Sequence, residues 1–376
     1  MSRVVVIPTL FALFASCSAL TTVWPSPLEH GEARRVAGTT FFDWKGVVHC
    51  HGRLSHDSEG TVEAIVAACH DTGMQFVVMT DHQTDASIRD GSRGIVDGVL
   101  FVVGAEVRSP QGTVIAFPLR EPLRRWQHAA LLVKEAAEQG ALAFVCHAEL
   151  WKAPWRDLGF TGVEIVNLHA GAMTASYAGT LATALFLPLR SLLGRICIRD
   201  PKVFADWDAQ LATVHPFAPI GGNDAHANVR VFGPLGGTIG TYPEIFATLS
   251  THVLAERLDE ASLVAGFAAG RTYVSFDLFG DGSGFDFRAV EGSAVHVVGS
   301  TVTASPTLAL HVTSPDDATI RLLRDGVLVR EVDGTSLVEA APTPGVWRVE
   351  VVKSGDPWLI SSTIRVVPAA NATAVR

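Results

Sequence analysis

The stretch that decides the fold is VVHCHGRLSHDS, residues 47–58, where an apolar run ends in a His-x-His pair and a turn. His49 and His51 are two residues apart, and side chains at that spacing in an extended strand point to the same side. Both imidazoles can then aim at one point, and imidazole is the commonest metal ligand at neutral pH. Asp57 follows in the predicted turn. Alone, the stretch is equally compatible with a strand end bearing two ordinary histidines.

Five later segments repeat the pattern of an apolar run that ends in a residue of a metal-ligating type. The residues at these ends are Asp81 and His82, Glu106, His147, Asn167 with His169 just beyond, and Asp224 with His226. Repetition of the same pattern favours one shared metal centre over a series of unrelated polar strand ends.

Helical patterns separate these runs, as in residues 62–72, 126–139, 203–213 and 261–269. Strands that alternate with helices indicate a parallel sheet with right-handed crossovers. About seven such strands predict an α/β fold, a (β/α)7 barrel over residues 40–290. Barrel enzymes place their chemistry at the carboxyl ends of the strands, where every candidate ligand lies. An apolar segment at 180–193, interrupted by Pro188, is interpreted as an inserted helix.

The sequence changes in character from about Gly292, where short strand-like runs replace the strand–helix alternation. Arg324-Asp325-Gly326 is a hairpin signal within this region. Short strands at this spacing predict a small all-β sandwich domain over residues 291–370. His296 and His311 lie in this region and are interpreted as structural.

Residues 1–24 are predicted to be a signal peptide, with Arg3 before an apolar core and small residues after it. The four residues ending at Cys17 loosely resemble a bacterial lipobox, so a lipoprotein signal is the alternative. We therefore expect an exported protein, periplasmic or extracellular, either soluble or attached to a membrane through a lipidated Cys17. The remaining cysteines form no C-x-x-C pair and are interpreted as buried thiols, although export permits a disulfide.

The composition limits the kinds of partner. Hydrophobic residues make up 48% of the 376, charged residues make up 18%, and the net charge is −9. No basic cluster is visible, which argues against nucleic acid as a bulk partner, because affinity for it rests mainly on Lys and Arg at phosphates. A small-molecule substrate is expected instead.

The ordered set of motifs resembles the PHP (polymerase and histidinol phosphatase) metallohydrolases. The matching motifs are His49-x-His51, Ser55-x-Asp57, Thr80-Asp81-His82, Gly104-x-Glu106, His147 and Asp224-Ala225-His226. Residues 357–361, PWLIS, match a signature of the exported branch of that family, which has a C-terminal β-sandwich and includes carbaryl-hydrolase-like enzymes. The resemblance implies a distorted (β/α)7 barrel of PHP type followed by the sandwich.

The resemblance also implies how the ligands are shared among the ions. One metal would be held by His49, His51, Glu106 and Asp224, with Glu106 bridging; a second by Asp57, His82 and His226; and a third by His147 together with Glu106. The family often has a further His just after the Glu strand, but residues 112–114 read GTV. Both a dinuclear and a trinuclear centre therefore stay open.

The ligand chemistry favours particular metals and reactions. Imidazoles mixed with carboxylates suit two to three divalent transition metal ions, Zn²⁺, Mn²⁺ or Fe²⁺. Such ions generate a metal-bound hydroxide near neutral pH and neutralise charge on a phosphoryl or carbonyl oxygen. The sequence thus predicts a metal-dependent hydrolase, foremost a phosphoesterase. The alternatives are a carbamate, amide or carboxylic ester hydrolase on the same centre, and a non-catalytic metal-binding scaffold.

Other polar residues have candidate roles around the centre. Asp81 is the candidate catalytic residue, as a proton acceptor or as the group that orients a histidine; the alternative is a turn residue that caps the next helix. Glu164 and Asn167 can line the pocket, and so can His56; a satisfied loop carboxylate is the alternative for Glu164. Arg230 and Arg271 are candidates for binding an anionic substrate, and a surface ion pair is the alternative for each.

Overall fold

The computed structural model of the chain describes residues 34–168, 194, 197, 199–226, 229–230 and 238–369. The predicted signal peptide and the predicted inserted helix at 180–193 lie outside these residues. Within the described part, no helix combines the length and the apolar character that crossing a membrane requires.

Strands and helices alternate up to residue 275. The strands of this part are β1 (Arg34–Arg35), β2 (Phe42–Cys50), β3 (Phe76–Met79), β4 (Gly94–Val96), β5 (Val99–Val103), β6 (Ala105–Arg108), β7 (Thr113–Phe117), β8 (Leu142–Cys146), β9 (Gly162–Asn167), β10 (Ala218–Ala225), β11 (Val229–Arg230), β12 (Thr238–Ile239), β13 (Ser250–Ala255) and β14 (Thr272–Ser275). The helices are α1 (Val62–Thr72), α2 (Asp85–Arg89), α3 (Ala129–Glu138), α4 (Pro201–Thr213), α5 (Tyr242–Phe246) and α6 (Glu260–Ala268), with a 3₁₀ helix at Ala148–Leu150.

The strands that end in candidate ligands lie side by side. Parallel pairing runs in the order β5, β3, β2, β10, β9 and β8, and antiparallel pairing continues from β8 through β7 to β6. An isolated parallel bridge between His82 and Glu106 connects β6 back to the segment that follows β3. This order brings the carboxyl ends of β2, β3, β8 and β10 and the start of β6 to one place.

Local sequence explains where the helices begin and end. Thr61 and Asp259 accept backbone N–H groups at the first turns of α1 and α6. Gly73 closes α1 in the left-handed conformation. The helix predicted at 126–139 begins only at Ala129, with His128 as its N-cap residue, which leaves Trp126 in the preceding loop.

From Asp286 onward the described chain is all β. Its strands are β15 (Asp286–Glu291), β16 (Ala294–Val297), β17 (Thr301–Thr303), β18 (Ala309–Arg324), β19 (Val327–Ala340), β20 (Gly345–Lys353) and β21 (Asp356–Val367). The long strands β18 to β21 pair antiparallel, and β14 pairs with β21, which joins this region to the first part of the sheet.

The interior of the first part is apolar and close-packed. Phe117 and Phe144 stack with ring centroids 5.3 Å apart, and Phe267 of α6 meets both rings edge-on. The mixed α/β class, dominated by sheet, is confirmed. The closed (β/α)7 barrel, the sandwich and the domain boundaries stay predictions. Cys50, Cys69, Cys146 and Cys197 are buried free thiols, as predicted.

Candidate metal centre

His49 and His51 meet at the carboxyl end of β2, but not through an extended strand. Their ring centroids are 5.1 Å apart. His49 has φ +69°, and the pairing of β2 with β3 shifts register between Val48 and Cys50. A bulge of this kind redirects a side chain. The prediction that both rings face one point is met, whereas the simple two-residue alternation proposed for it is wrong.

Left-handed backbone recurs at two further predicted ligands. Asp224 has φ +49° and His147 has φ +47°, and β10 shifts register against β2 between Gly222 and Ala225. Left-handed backbone costs a non-glycine residue free energy, and such strain concentrates at functional sites. Among the described residues nine non-glycine positions have positive φ, and His49, His147 and Asp224 are three of them.

Glu106 lies at the middle of the predicted ligands. Its Oε2 lies 3.5 Å from Nε2 of His49, 3.4 Å from Nε2 of His51 and 3.3 Å from Nδ1 of His82, and its Oε1 lies 3.5 Å from Nε2 of His147. The side chain is 6% exposed. A buried carboxylate in contact with four imidazoles has the geometry expected of a bridging ligand.

Asp224 and Asp57 complete the arrangement on two sides. Asp224 Oδ1 is 3.2 Å from Nε2 of His49 and 3.4 Å from Nε2 of His51. Asp57 Oδ2 is 2.9 Å from Nε2 of His82 and 3.3 Å from Nε2 of His226. The structure therefore brings all eight predicted metal ligands together, and their role as ligands stays a prediction.

Three overlapping groups of these side chains have ligand atoms close enough to hold an ion. The groups are His49, His51 and Asp224; His51, Asp57, His82 and His226; and His49, Glu106, Cys146 and His147. Relative to the predicted division, the first group lacks Glu106, the second gains His51, and the third gains His49 and Cys146. The Cys146 sulfur lies 3.8 Å from Nδ1 of His49, the nitrogen that faces away from Glu106 and Asp224. We therefore assign Cys146 a packing role.

Two buried imidazole nitrogens without hydrogen-bond partners indicate that metal ions fit this site. Nε2 of His49 and Nε2 of His51 are buried and make no hydrogen bond among the described residues. Both atoms face carboxylate oxygens at 3.2–3.5 Å. Leaving a buried polar atom unpaired is costly, and an ion between the imidazoles and the carboxylates removes that cost. The donor set of imidazole and carboxylate fits divalent transition metals.

Glu164 supports His49 from behind. It is fully buried, and its Oε1 lies 2.7 Å from Nδ1 of His49. Because a carboxylate only accepts hydrogen bonds, Nδ1 must carry a proton, and in the neutral ring this leaves the Nε2 lone pair facing the centre. Oε2 accepts from the His147 backbone N–H at 2.8 Å and from Asn167 at 3.0 Å. Glu164 and Asn167 were predicted as pocket-lining residues, with a satisfied loop carboxylate as the alternative for Glu164.

Asp81 lies outside the three ligand groups. Its Oδ1 accepts from the Gly52 backbone N–H at 2.6 Å, which fixes the turn just after His51. Burial raises the pKa of this carboxyl to about 6. The helix-capping alternative is wrong, because Thr84 caps α2. Its role as a proton acceptor stays a prediction.

Two hydroxyl groups hold the ligand loops: that of Ser55, which belongs to a predicted motif, and that of Tyr242, which the sequence did not indicate. Ser55 donates to Asp57 Oδ1 at 2.6 Å and accepts from the His82 backbone N–H at 3.2 Å. Tyr242, from α5, donates to the His51 carbonyl at 2.6 Å. Tyr242 is far from every motif in sequence, so only the fold could reveal it.

Burial and the charges of neighbouring residues shift the pKa values of the site residues in different directions. Burial opposes ionisation of Glu106, but the neighbouring imidazoles of His147 and His49 hold its pKa well below the usual range. The pKa of Asp224 is likewise lowered despite burial, through the charge of His49 and the adjacent His51 ring. Burial lowers the pKa of His51 to about 4. The carboxylates are thus charged and His51 is neutral at pH 7. Burial opposes protonation of His49, but the charge of Asp224 raises its pKa well above the usual value, so binding of an ion there must release a proton.

Of the two predicted substrate arginines, Arg271 has a described side chain, and it belongs to none of the ligand groups and does not line the adjoining cavity. The Arg271 Nε–H donates to the Leu254 carbonyl at 3.0 Å, and its guanidinium lies over the Phe41 ring at 4.5 Å. This arrangement corrects both the substrate role and the ion-pair alternative proposed for Arg271. The Arg230 side chain lies outside the described part of the chain. His56 stacks near His82, with ring centroids 4.8 Å apart, and lines the adjoining cavity as predicted.

Comparisons with known proteins include a solved structure of low similarity. No protein-family model matches the chain, and no curated protein matches it. The solved structure is the crystal structure of a two-domain protein from Bacteroides vulgatus that contains a predicted PHP-like metal-dependent phosphoesterase. It is 15% identical, covers 90% of this chain and 100% of its own, and has a TM-score of 0.43.

Proposed function

We propose that the chain is a metal-dependent hydrolase that holds two to three divalent ions and acts on phosphate esters. The observation that supports this most is the pair of buried, unpartnered Nε2 atoms of His49 and His51, which face the carboxylates of Glu106 and Asp224. A purely structural network would pair these atoms, because unmet hydrogen-bonding groups inside a protein destabilise the fold.

The proposed ions would be held by the residues of the three groups described above other than Cys146, with His49 and His51 each shared between two groups. When bound, such ions lower the pKa of coordinated water and neutralise charge on the oxygen atoms of an ester. Neighbouring side chains orient the residues that would hold the ions. Glu164 keeps the His49 ring in one orientation, and Ser55 keeps Asp57 facing His82 and His226.

Phosphate esters are favoured over carboxylic esters and carbamates by charge. A centre with several cations neutralises the negative charge of a phosphate, which neutral esters do not need. Two arginines, Arg108 and Arg125, also line the cavity that opens next to Glu106. Carboxylic ester or carbamate hydrolysis on the same centre remains the alternative outcome of the assay, and absence of any turnover would favour a scaffold.

The first prediction concerns Asp224 and His226. Protein purified without chelator and resupplied with Zn²⁺ or Mn²⁺ should contain about two to three ions and should hydrolyse chromogenic phosphate esters. Asp224→Asn and His226→Ala should each lower the metal content and reduce turnover by about 100-fold or more, because misplacing a reacting group by about 1 Å can cost that much. Elemental analysis and a panel of phosphomonoesters, phosphodiesters and carboxylic esters measure both effects.

The matched control is His296→Ala, since His296 lies in β16 and belongs to none of the three groups. It should keep full metal content and full turnover. All variants should retain the circular dichroism spectrum of the parent protein. Less than one ion per chain in the parent protein, or normal activity in Asp224→Asn, would show that the centre is not catalytic.

A further inference from the structure

Two cavities open on either side of the candidate metal centre and share one wall. One, of about 320 Å³, reaches His82 and Glu106, and the other, of about 280 Å³, reaches His147. Arg108 and Trp126 line both. Arg125 lines only the first, and Lys152 only the second. Concave sites with a few converging polar groups are where small molecules bind.

Trp126 is unusual in both exposure and backbone conformation. Its side chain is 70% exposed, the largest exposed fraction among the large apolar side chains of the described chain. Its φ is +62°, in the left-handed region that a bulky residue rarely adopts. An exposed indole held in a strained loop at the mouth of a site is expected where the ring contacts a ligand, since packing does not explain it.

Arg108 extends from the same strand as the central carboxylate. It follows Glu106 by two residues in β6, so both side chains leave the same face of the strand. Arg108 is exposed, while Glu106 is buried. The guanidinium therefore lies at the entrance to the centre and can bind a phosphate through two parallel hydrogen bonds.

The cations at this entrance are distinguished by the lack of carboxylate partners. Within the described part of the chain, none of Arg108, Arg125 and Lys152 forms an ion pair. Arg125 donates to the Gln83 carbonyl, which anchors it at the cavity wall. By contrast, Arg89 pairs with Glu121 at 2.9 Å. In a chain with net charge −9, unpaired cations around one opening indicate an anionic ligand.

We propose that the shared wall binds the substrate, with Trp126 contacting its organic part and Arg108 its negative charge, and that the substrate is an anionic phosphate ester with a planar ring. This inference rests on the proposed function. The ring lies against the indole of Trp126, and Arg108 binds the negative charge. Hydrolysis adds one water across the ester P–O bond: the phosphate keeps the water oxygen, and the ring-bearing alcohol or phenol leaves with a proton.

Binding of two phosphonates that cannot be hydrolysed at an ester bond tests the inference without turnover. Isothermal titration calorimetry on the metal-loaded protein compares phenylphosphonate with methylphosphonate. Phenylphosphonate should bind about tenfold more tightly, a difference within the range for stacking on an aromatic side chain. Trp126→Ala should reduce the preference to about twofold or less, and Trp126→Phe should restore most of it.

Arg108→Gln should weaken the binding of both phosphonates by about tenfold, because it removes a charge-assisted contact. The matched control is Arg156→Gln, an exposed arginine that lines neither cavity, and it should change nothing. An unchanged preference in Trp126→Ala, or equal affinities in Arg108→Gln and Arg156→Gln, would overturn the inference.

The two proposals can fail separately. If the protein hydrolyses phosphate esters but Trp126→Ala keeps the preference for phenylphosphonate, the assigned binding wall is wrong and the proposed function stands. Binding that follows the expected pattern in a protein that hydrolyses no ester contradicts the proposed function and supports the assigned binding wall.

Discussion

Glu164 determines which nitrogen of His49 faces the candidate centre. Its carboxylate accepts from Nδ1 of His49, from the backbone N–H of His147 and from Asn167, so three donors fix its position. It fixes the orientation of the His49 ring, and its hydrogen bond from the His147 N–H holds the start of the segment after β8. A single buried carboxylate thus positions two candidate ligands on different strands.

We predict that Glu164→Gln lowers metal affinity by about 10- to 100-fold, the range for changes to groups that orient metal-bound histidines. The amide has one acceptor oxygen where the carboxylate has two, so it cannot accept from both His49 and the His147 N–H. Competition with a chromophoric chelator measures the affinity.

Glu135→Gln is the matched control, because Glu135 lies on α3 away from all three ligand groups. It should bind metal as the parent protein does. Equal affinity in Glu164→Gln and the parent protein would mean that the His49 orientation does not depend on this carboxylate.

At the scale of elements, the strands bring the ligands together through irregular ends. β2 and β10 each shift register just before a candidate ligand, and His49 and Asp224 take left-handed backbone there. Gly222 makes this possible on β10. A Cβ at that position would lie 1.8 Å from Oε1 of Glu164 and 2.3 Å from its Cδ. Only glycine leaves room for the Glu164 carboxylate behind His49.

We predict that Gly222→Ala displaces Glu164 and therefore lowers metal affinity by about tenfold or more, as the direct loss of its carboxylate does. The side chain cannot simply move aside, because three hydrogen bonds fix it. Gly355→Ala is the control, since a Cβ there meets nothing within 4 Å although φ is +92°. That variant should lose some stability and keep its metal. If Gly222→Ala loses stability as Gly355→Ala does but keeps its metal affinity, Glu164 is not displaced.

The sequence predicts the elements and the ligand residues better than it predicts their geometry. Apolar runs that end in His, Asp or Glu identify the strand ends, because burial and ligand chemistry both leave a local pattern. The bulges at His49 and Asp224 leave none, since positive φ in a non-glycine residue is imposed by neighbouring strands. Tyr242 and Arg108 were missed for a related reason: each acts through a contact that only the fold creates.

At the scale of the whole molecule, a buried ionic cluster lies where the first part of the sheet meets the C-terminal strands. Lys45, in the first half of β2, lies 3.1 Å from Asp277 and 3.1 Å from Asp281, and both aspartates belong to the connection between β14 and β15. The Lys45 side chain is 7% exposed. Burial opposes ionisation of Asp281, but the charge of Lys45 lowers its pKa to about 2.

The last prediction is that Lys45→Met destabilises the protein by about 3–5 kcal/mol at pH 7, because it leaves two carboxylates without their buried cation. In the parent protein the pKa of Asp281 is lower in the folded state than in the unfolded state. Its stabilising contribution is therefore present above about pH 4 and is lost as the pH falls toward 2. Without Lys45, burial raises the pKa of the Asp281 carboxyl, so the deficit should be larger at pH 7 than at pH 4.5.

Urea unfolding at both pH values measures this deficit in the free energy of unfolding. Lys202→Met, which breaks an exposed pair with Asp206 at 2.9 Å, should cost about 0–1 kcal/mol at either pH. Because Lys45 lies at the other end of β2 from His49 and His51, metal content should not change. A loss in Lys45→Met no larger than that in Lys202→Met would show that the cluster does not stabilise the junction.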